Sequence, residues 1–211
     1  MESEGLAILK HKHIDSNEAI IELLKNYDIN QLKRLSLLRN FLTNSVVSLT
    51  FNGQFSSLTE LYLGANELTA FPDLSSLPNL LVLHLNNNKI LDLAHSDSVS
   101  KLKELNLRGN RIQTPSLFEY QHLEWLSLSS NMIETLEAMP CLPSVKYLGL
   151  FGNYLGKASQ SSETLQSTLL TIKKNCPCIE ELLLSGNYFE LNPNYQALVT
   201  NTLSLKKFDI N

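Results

Sequence analysis

The stretch Leu102-Lys103-Glu104-Leu105-Asn106-Leu107-Arg108-Gly109-Asn110-Arg111-Ile112 decides the fold, because its pattern LxxLxLxxNxI returns on both sides of it. The same frame is filled by Leu58-Leu61-Leu63-Asn66-Leu68, Leu80-Leu83-Leu85-Asn88-Ile90, Leu123-Leu126-Leu128-Asn131-Ile133 and Val145-Leu148-Leu150-Asn153-Leu155. Outlying copies begin at Leu32 and Ile179. From Asn66 to Asn153 the asparagines step by 22, 22, 21 and 22 residues, a constancy that stacked identical coils require. In Leu105-Asn106-Leu107 the alternation turns both leucines inward and Asn106 outward from a short strand. Stacking then lays the strands side by side as a parallel sheet on a concave wall. The expected fold is an α/β solenoid of seven repeats with a closing half-repeat.

After each strand the chain must turn, which exposes backbone groups that an apolar interior cannot satisfy. An asparagine carries both a carbonyl and an amide and can bond those groups in its own coil and the next. Asn40, Asn66, Asn88, Asn110, Asn131, Asn153 and Asn187 are therefore expected to form a buried structural ladder, not a ligand site. So short a unit leaves room for few regular helices on the convex side.

On these residues the chain is identified as a leucine-rich repeat protein, which implies a right-handed solenoid. Its C-terminal segment, Asn192-Pro193-Asn194-Tyr195-Gln196-Ala197-Leu198-Val199 followed by Leu205-Lys206-Lys207-Phe208-Asp209, resembles the cap of a 22-residue intracellular subclass. That subclass includes the nuclear regulator of protein phosphatase 1, the spliceosomal A-prime protein, the acidic nuclear phosphoproteins and an axonemal dynein light chain. Tyr195 and Phe208-Asp209 fit the cap, while Gln196 stands where the subclass has a basic residue. The resemblance implies a non-catalytic interaction scaffold, with a phosphatase, a splicing factor or a ciliary motor as partner. An alternative function is a regulatory or targeting subunit of an enzyme such as a phosphatase, or an adaptor in a ribonucleoprotein or motor complex.

Residues 1–30 are expected to lie outside the repeat, with residues 31–211 as one continuous solenoid whose cap occupies 191–211. Asp15 three residues before Glu18, with Ile20, Ile21, Leu23 and Leu24 following, predicts a helix of about three turns that covers the open end. The segment Val46-Val47-Ser48-Leu49-Thr50-Phe51-Asn52-Gly53 alternates in a way that predicts a short strand or bulge. Ser162–Asn175 reads as a helix, with Leu165, Leu169 and Ile172 on one face, Ser161 or Ser162 as cap and Pro177 closing it.

With 211 residues, 43% hydrophobic, the chain can bury an elongated core. Its net charge of −4 argues against a phosphate-backbone surface, so no direct nucleic-acid binding is expected. No apolar run approaches the roughly 20 residues of a membrane span, and Leu6-Ala7-Ile8-Leu9, followed by Lys10, is too short for a signal-peptide core. Cys141, Cys176 and Cys178 are odd in number, and no N-x-[ST] acceptor occurs. An intracellular location, cytoplasmic or nuclear, is expected, as is a monomer in the absence of its partner. His11-Lys12-His13 diverge at a spacing of two and read as a solvated tail. Cys176-Pro177-Cys178 lacks the CxxC spacing and reads as core cysteine. His84, His95 and His122 form no triad, and no phosphate-cradling glycine loop is present. No enzyme activity, cofactor or metal is expected.

The repeat frame also ranks the outward residues. One row runs Arg34, Glu60, Val82, Glu104, Trp125, Tyr147, Glu181; the next Ser36, Tyr62, His84, Asn106, Ser127, Gly149, Leu183; a third Leu38, Gly64, Asn86, Arg108, Ser129, Phe151, Ser185. Trp125 and Tyr147 should be lateral neighbours roughly 5 Å apart, with Phe151 beside the space left by Gly149 and Arg108 approaching from the other side. Aromatics and arginine carry most interface energy. The expected partner-binding residues are therefore Trp125, Tyr147, Phe151, Arg108, His84, Tyr62, Val82 and Glu104. The rim of Lys103, Glu124, Lys146 and Glu180 is a secondary candidate.

Overall fold

The computed structural model describes residues 5–51, 55–91, 93–94 and 96–209. Nine short strands make one sheet in sequence order: β1 Leu6–Ile8, β2 Arg34–Ser36, β3 Glu60–Tyr62, β4 Val82–His84, β5 Glu104–Asn106, β6 Trp125–Ser127, β7 Tyr147–Gly149, β8 Glu181–Leu183 and β9 Lys207–Phe208. Every pairing is parallel, and the register aligns the rows read from the sequence, for example Trp125 with Tyr147 and Ser127 with Gly149. The central residue of each strand from β2 to β8 (Leu35, Leu61, Leu83, Leu105, Leu126, Leu148, Leu182) is fully buried. Each such leucine contributes about 1.5–3 kcal/mol by leaving water.

Behind the sheet the ladder asparagines repeat one bonding scheme. Asn110 Nδ2 donates to the Leu107 carbonyl of its own coil at 2.9 Å and to the Leu85 carbonyl of the preceding coil at 3.0 Å, and its Oδ1 accepts from the Ile90 amide at 3.0 Å. Asn88, Asn131, Asn153 and Asn187 do the same. One side chain thus bonds three backbone groups of the core, and each carbonyl, such as those of Leu85 and Leu107, is shared by two successive asparagines. The residue before each asparagine is left-handed: Arg39, Ala65, Asn87, Gly109, Ser130, Gly152 and Gly186 all have φ between 55 and 72°. Only three of these seven are glycine. The three-bond anchor that follows holds the others in a conformation that costs an ordinary residue roughly 1–2 kcal/mol.

The N-terminal region departs from expectation. Residues 6–14 are not outside the repeat: β1 pairs with β2, and Asn40 Oδ1 accepts from the Lys12 and Ile14 amides as the next asparagine does from its preceding coil. Ala7, Leu9 and Ile14 fill the inward positions, so this is a degenerate first coil with Ala for Leu and Lys for the ladder asparagine. His11-Lys12-His13 consequently form the turn of that coil, not a tail. His11 and His13 are left-handed, and the His13 ring stacks on Phe41 at 5.4 Å.

Helix α1, Asn17–Leu24, is shorter than expected and capped by Ser16, whose hydroxyl accepts from the Ala19 amide, in place of Asp15. The expected strand near Val46 is instead helix α2, Asn44–Thr50, which packs on α1; Asn52 and Gly53 of that expectation lie outside the described residues. Val47 in the helix and Phe51 just after it are buried against the solenoid, and that burial outweighs the strand propensity of the valines.

Helix α3, Ser162–Asn175, follows the sequence reading, with Ser161 as cap and Leu165, Leu169 and Ile172 buried. It packs on α4, Tyr195–Thr202. At the final edge the Asp209 carboxylate accepts from the Leu184 amide at 2.7 Å, the Ser185 amide at 3.0 Å and the Ser185 hydroxyl. A side chain there replaces the next strand and closes the edge. Of the cysteines, Cys176 is buried, which pushes its thiol up to about 12, whereas Cys178 is exposed and not core.

Candidate interaction site on the concave face

The eight residues expected at the site all face the concave wall or its edge, but the structure divides them into two groups. Tyr62, His84, Glu104 and Val82 stand on β3 to β5, and Trp125, Tyr147, Phe151 and Arg108 on or just after β5 to β7.

The first group is a polar network. Arg34 grips Glu60 through two bonds of 2.5 and 2.7 Å, and the Tyr62 hydroxyl donates to the same carboxylate at 2.7 Å. The Arg34 fork holds the Glu60 carboxyl below the usual carboxylate range, against the upward push of partial burial. Burial and the adjoining Glu60 charge push the Tyr62 phenol up to about 12. The Tyr62 ring meets His84 edge to face at 4.8 Å, and His84 Nε2 lies 2.6 Å from Glu104 Oε1. Val82 is half-buried between Glu60 and Glu104.

The second group is aromatic. Trp125 and Tyr147 stack face to face, with centroids 4.7 Å apart and planes within 3°. Such an offset pair gains about 0.5–1.5 kcal/mol beyond its buried area. Residues of minimal size make it possible: Ser127, Gly149 and Ser129 are buried on the concave side, leaving the rings room to lie along the sheet. Phe151 is 39% exposed beyond them, and Arg108 is exposed on the opposite flank. The space above Gly149, expected to lie open beside Phe151, is filled. A Cβ there would lie 3.2 Å from the Tyr147 hydroxyl, so Tyr147 occupies it. Burial raises the Tyr147 phenol while the Arg108 guanidinium pulls it down.

The secondary rim is largely self-paired, with Lys146 on Glu124 at 2.7 Å and Lys206 on Glu180 at 2.9 Å. Two contributors were not singled out in the sequence: Arg34 with Glu60, which organise the polar half, and the residue after each ladder asparagine. That row reads Phe41, Glu67, Lys89, Arg111, Met132, Tyr154, Tyr188. Met132, Tyr154 and Tyr188 are exposed and extend the apolar surface past Phe151, with Tyr154 and Tyr188 in edge contact at 6.4 Å. The same 22-residue frame that ranked the strand positions would have displayed this row. His95 lies outside the described residues. Among the described residues no cluster of three or more His, Cys, Asp or Glu side chains is placed to hold a metal, and no helix is long and apolar enough to cross a membrane.

A parallel sheet built from strands of two or three residues, backed by an asparagine ladder and open on its concave side, defines the class: this is a solenoid of leucine-rich units. Residues 100–155 match the family described as Leucine rich repeat, and residues 56–98 that described as Leucine Rich repeats (2 copies). The chain belongs to the leucine-rich repeat proteins. An Arabidopsis thaliana relative, named Protein phosphatase 1 regulatory inhibitor subunit PPP1R7 homolog, is 34% identical over 128 residues, 59% of this chain and 39% of that protein. A Dictyostelium discoideum relative, named as a probable inactive serine/threonine-protein kinase, is 31% identical over 166 residues, 69% of this chain and 8% of that protein. An internalin of Listeria monocytogenes shares the fold with a TM-score of 0.70 at 21% identity, over 96% of this chain and 53% of that one. The chain thus spans well under two thirds of the relatives it matches.

Proposed function

We propose that this chain is a non-catalytic protein-interaction scaffold whose contact surface is the C-terminal half of the concave wall. The observation that carries the reading is the Trp125–Tyr147 stack, set on a floor of buried Ser127, Ser129 and Gly149. Its mechanism is preorganisation: the rings are held by each other and by the sheet before any partner arrives, so little side-chain freedom is lost on binding. Rigid aromatics with an arginine at their edge are the side chains that dominate interface energy. The chain acts in a reducing intracellular compartment, where Cys141 and Cys178 remain exposed thiols.

The test is affinity capture from native lysate with wild type beside Trp125→Ala/Tyr147→Ala, both shown folded by circular dichroism. The double variant should lose the partners that wild type recovers. Identical partners at equal yield would remove the concave aromatic patch as the site.

A second reading is favoured by the 34% identity to the relative named as a phosphatase 1 regulatory inhibitor subunit homolog. In it the chain holds or restrains a phosphatase catalytic subunit through this wall. Recombinant phosphatase 1 catalytic subunit titrated with the chain should then bind it and lose activity; unchanged activity with no co-elution would dismiss the regulatory role and leave the scaffold.

A further inference from the structure

The aromatic half of the concave wall holds polar groups whose bonding capacity the chain does not use. A Cβ placed on Gly149 would lie 2.9 Å from Ser129 Oγ, 3.1 Å from Ser127 Oγ and 3.2 Å from Tyr147 Oη, so three hydroxyls ring one missing side chain. Ser129 is only 3% exposed, and its Oγ is buried without a hydrogen-bond partner. Leaving such a group unsatisfied is unfavourable. Next to Ser129 on the third row stands Arg108, the two coils being joined by the bond from the Gly109 amide to the Ser129 carbonyl at 2.9 Å. The Arg108 side chain is exposed and, among the described residues, pairs with no carboxylate.

The acidic groups around it are already engaged. Glu104 meets His84, Glu181 meets Lys207, Glu124 meets Lys146, and Asp209 takes the Leu184 and Ser185 amides and the Ser185 hydroxyl. The face therefore offers a guanidinium and a phenol hydroxyl that no carboxylate of the described residues bonds, although the Glu181 and Asp209 charges act on the phenol.

The other half of the same wall shows the completed arrangement. There Glu60 receives the Arg34 fork and the Tyr62 hydroxyl together. Arg108 and Tyr147 offer an arginine and a tyrosine two strands apart, with the arginine charge acting on the phenol and no carboxylate bonded to either.

We propose that the partner supplies it: Arg108 and the Tyr147 hydroxyl receive a carboxylate side chain of an acidic peptide, and the Trp125 face carries an adjoining apolar residue. The inference rests on the concave-face reading above and names the partner's chemistry. One guanidinium fork matches a carboxylate, whereas phosphorylated motifs are taken by arginine clusters.

A displayed library of random 12-residue peptides, panned on the full chain, tests this. Selected clones should be enriched in Asp or Glu beside Leu, Phe or Met. Measured by anisotropy of a fluorescein-labelled clone, affinity should fall about tenfold for Arg108→Gln and about tenfold when the acidic residue is replaced by its amide, consistent with loss of one charge-assisted fork. Tyr147→Phe should weaken binding less while keeping the stack. Clones that need Trp125 but ignore both Arg108→Gln and the amide replacement would overturn the carboxylate anchor and spare the concave reading. Clones indifferent to Trp125→Ala would overturn both. A library yielding no clones above background, or clones enriched in Lys and Arg, would also overturn the anchor.

Discussion

The two halves of the concave wall stand on one scaffold and use it differently. Between β2 and β5 the outward charged side chains and their neighbours pair with each other, Arg34 with Glu60, Glu60 with Tyr62 and Glu104 with His84, although the buried Ser36 hydroxyl on β2 has no partner. Between β6 and β7 the same row carries Trp125 and Tyr147, whose rings satisfy each other by stacking but leave Arg108, Ser129 and the Tyr147 hydroxyl with capacity to spare. A self-paired surface has little left to gain from a partner, since each ion pair must be broken or desolvated first. An aromatic surface already fixed in place gives up little on contact. The contrast supports the proposed contact surface on the C-terminal half, and four measurements would break or sharpen it.

The largest effect concerns what the halves share. Asn88→Ala in the polar half and Asn131→Ala in the aromatic half each orphan one amide, that of Leu68 or Ile112, and remove one of the two asparagine donors from each of two carbonyls, those of Leu63 and Leu85 or of Leu107 and Leu128. At about 1–3 kcal/mol for the unsatisfied amide and about 0.5–1.5 kcal/mol for each lost bond to a carbonyl, both should lose about 3 kcal/mol in urea unfolding. A much smaller loss in one variant would show that the halves do not rest on the same ladder.

Next, the halves should separate in binding. Trp125→Ala/Tyr147→Ala should weaken a captured partner by about 2 kcal/mol or more, read by calorimetry, while Tyr62→Ala/His84→Ala changes it only a few-fold. Equal losses would make the whole wall the interface.

A third, smaller effect probes the floor. Gly149→Leu forces atoms into the space bounded by Ser129, Ser127 and the Tyr147 hydroxyl, at a cost of about 1–3 kcal/mol for overpacking. It should displace Tyr147 and reduce the near-ultraviolet dichroism of Trp125, the sole tryptophan. An unchanged band would mean that the stack does not depend on that gap.

The smallest effect is a pH signature of the polar half. Glu60 titrates below its ordinary value because of the Arg34 hydrogen bonds. Its contribution to stability is therefore present above the unfolded carboxylate value and lost as pH falls through the lowered folded one. Tyr62, raised from 10.0 to about 12, contributes below its unfolded value and loses that contribution as pH rises through about 12. Carbon-13 titration should show both displacements, and Arg34→Ala should move Glu60 back toward 4.5; a Glu60 midpoint that stays put in the variant would exclude the arginine as cause.

How much of this was legible in the sequence varies with locality. The ladder asparagines, the inward leucines and the lateral pairing of Trp125 with Tyr147 follow from a frame of fixed period, and all stand as read. The first coil was illegible because Ala7 and Lys12 replace the leucine and asparagine that mark the others. Helix α2 was misread because Val46, Val47 and Thr50 favour strands locally, and packing against α1 and the solenoid favours the helix. The left-handed row was masked because Arg39, Ala65, Asn87 and Ser130 carry no glycine signal.

By itself the sequence determined the coil, the ladder and which side chains share a row, since period and alternation are local properties repeated along the chain. Only the tertiary structure decided that Tyr147 fills the gap over Gly149, that Arg34 is taken while Arg108 is not, and that residues 6–14 join the sheet. Those outcomes depend on which neighbour in the adjacent coil reaches a group first, and a one-dimensional repeat does not encode that competition.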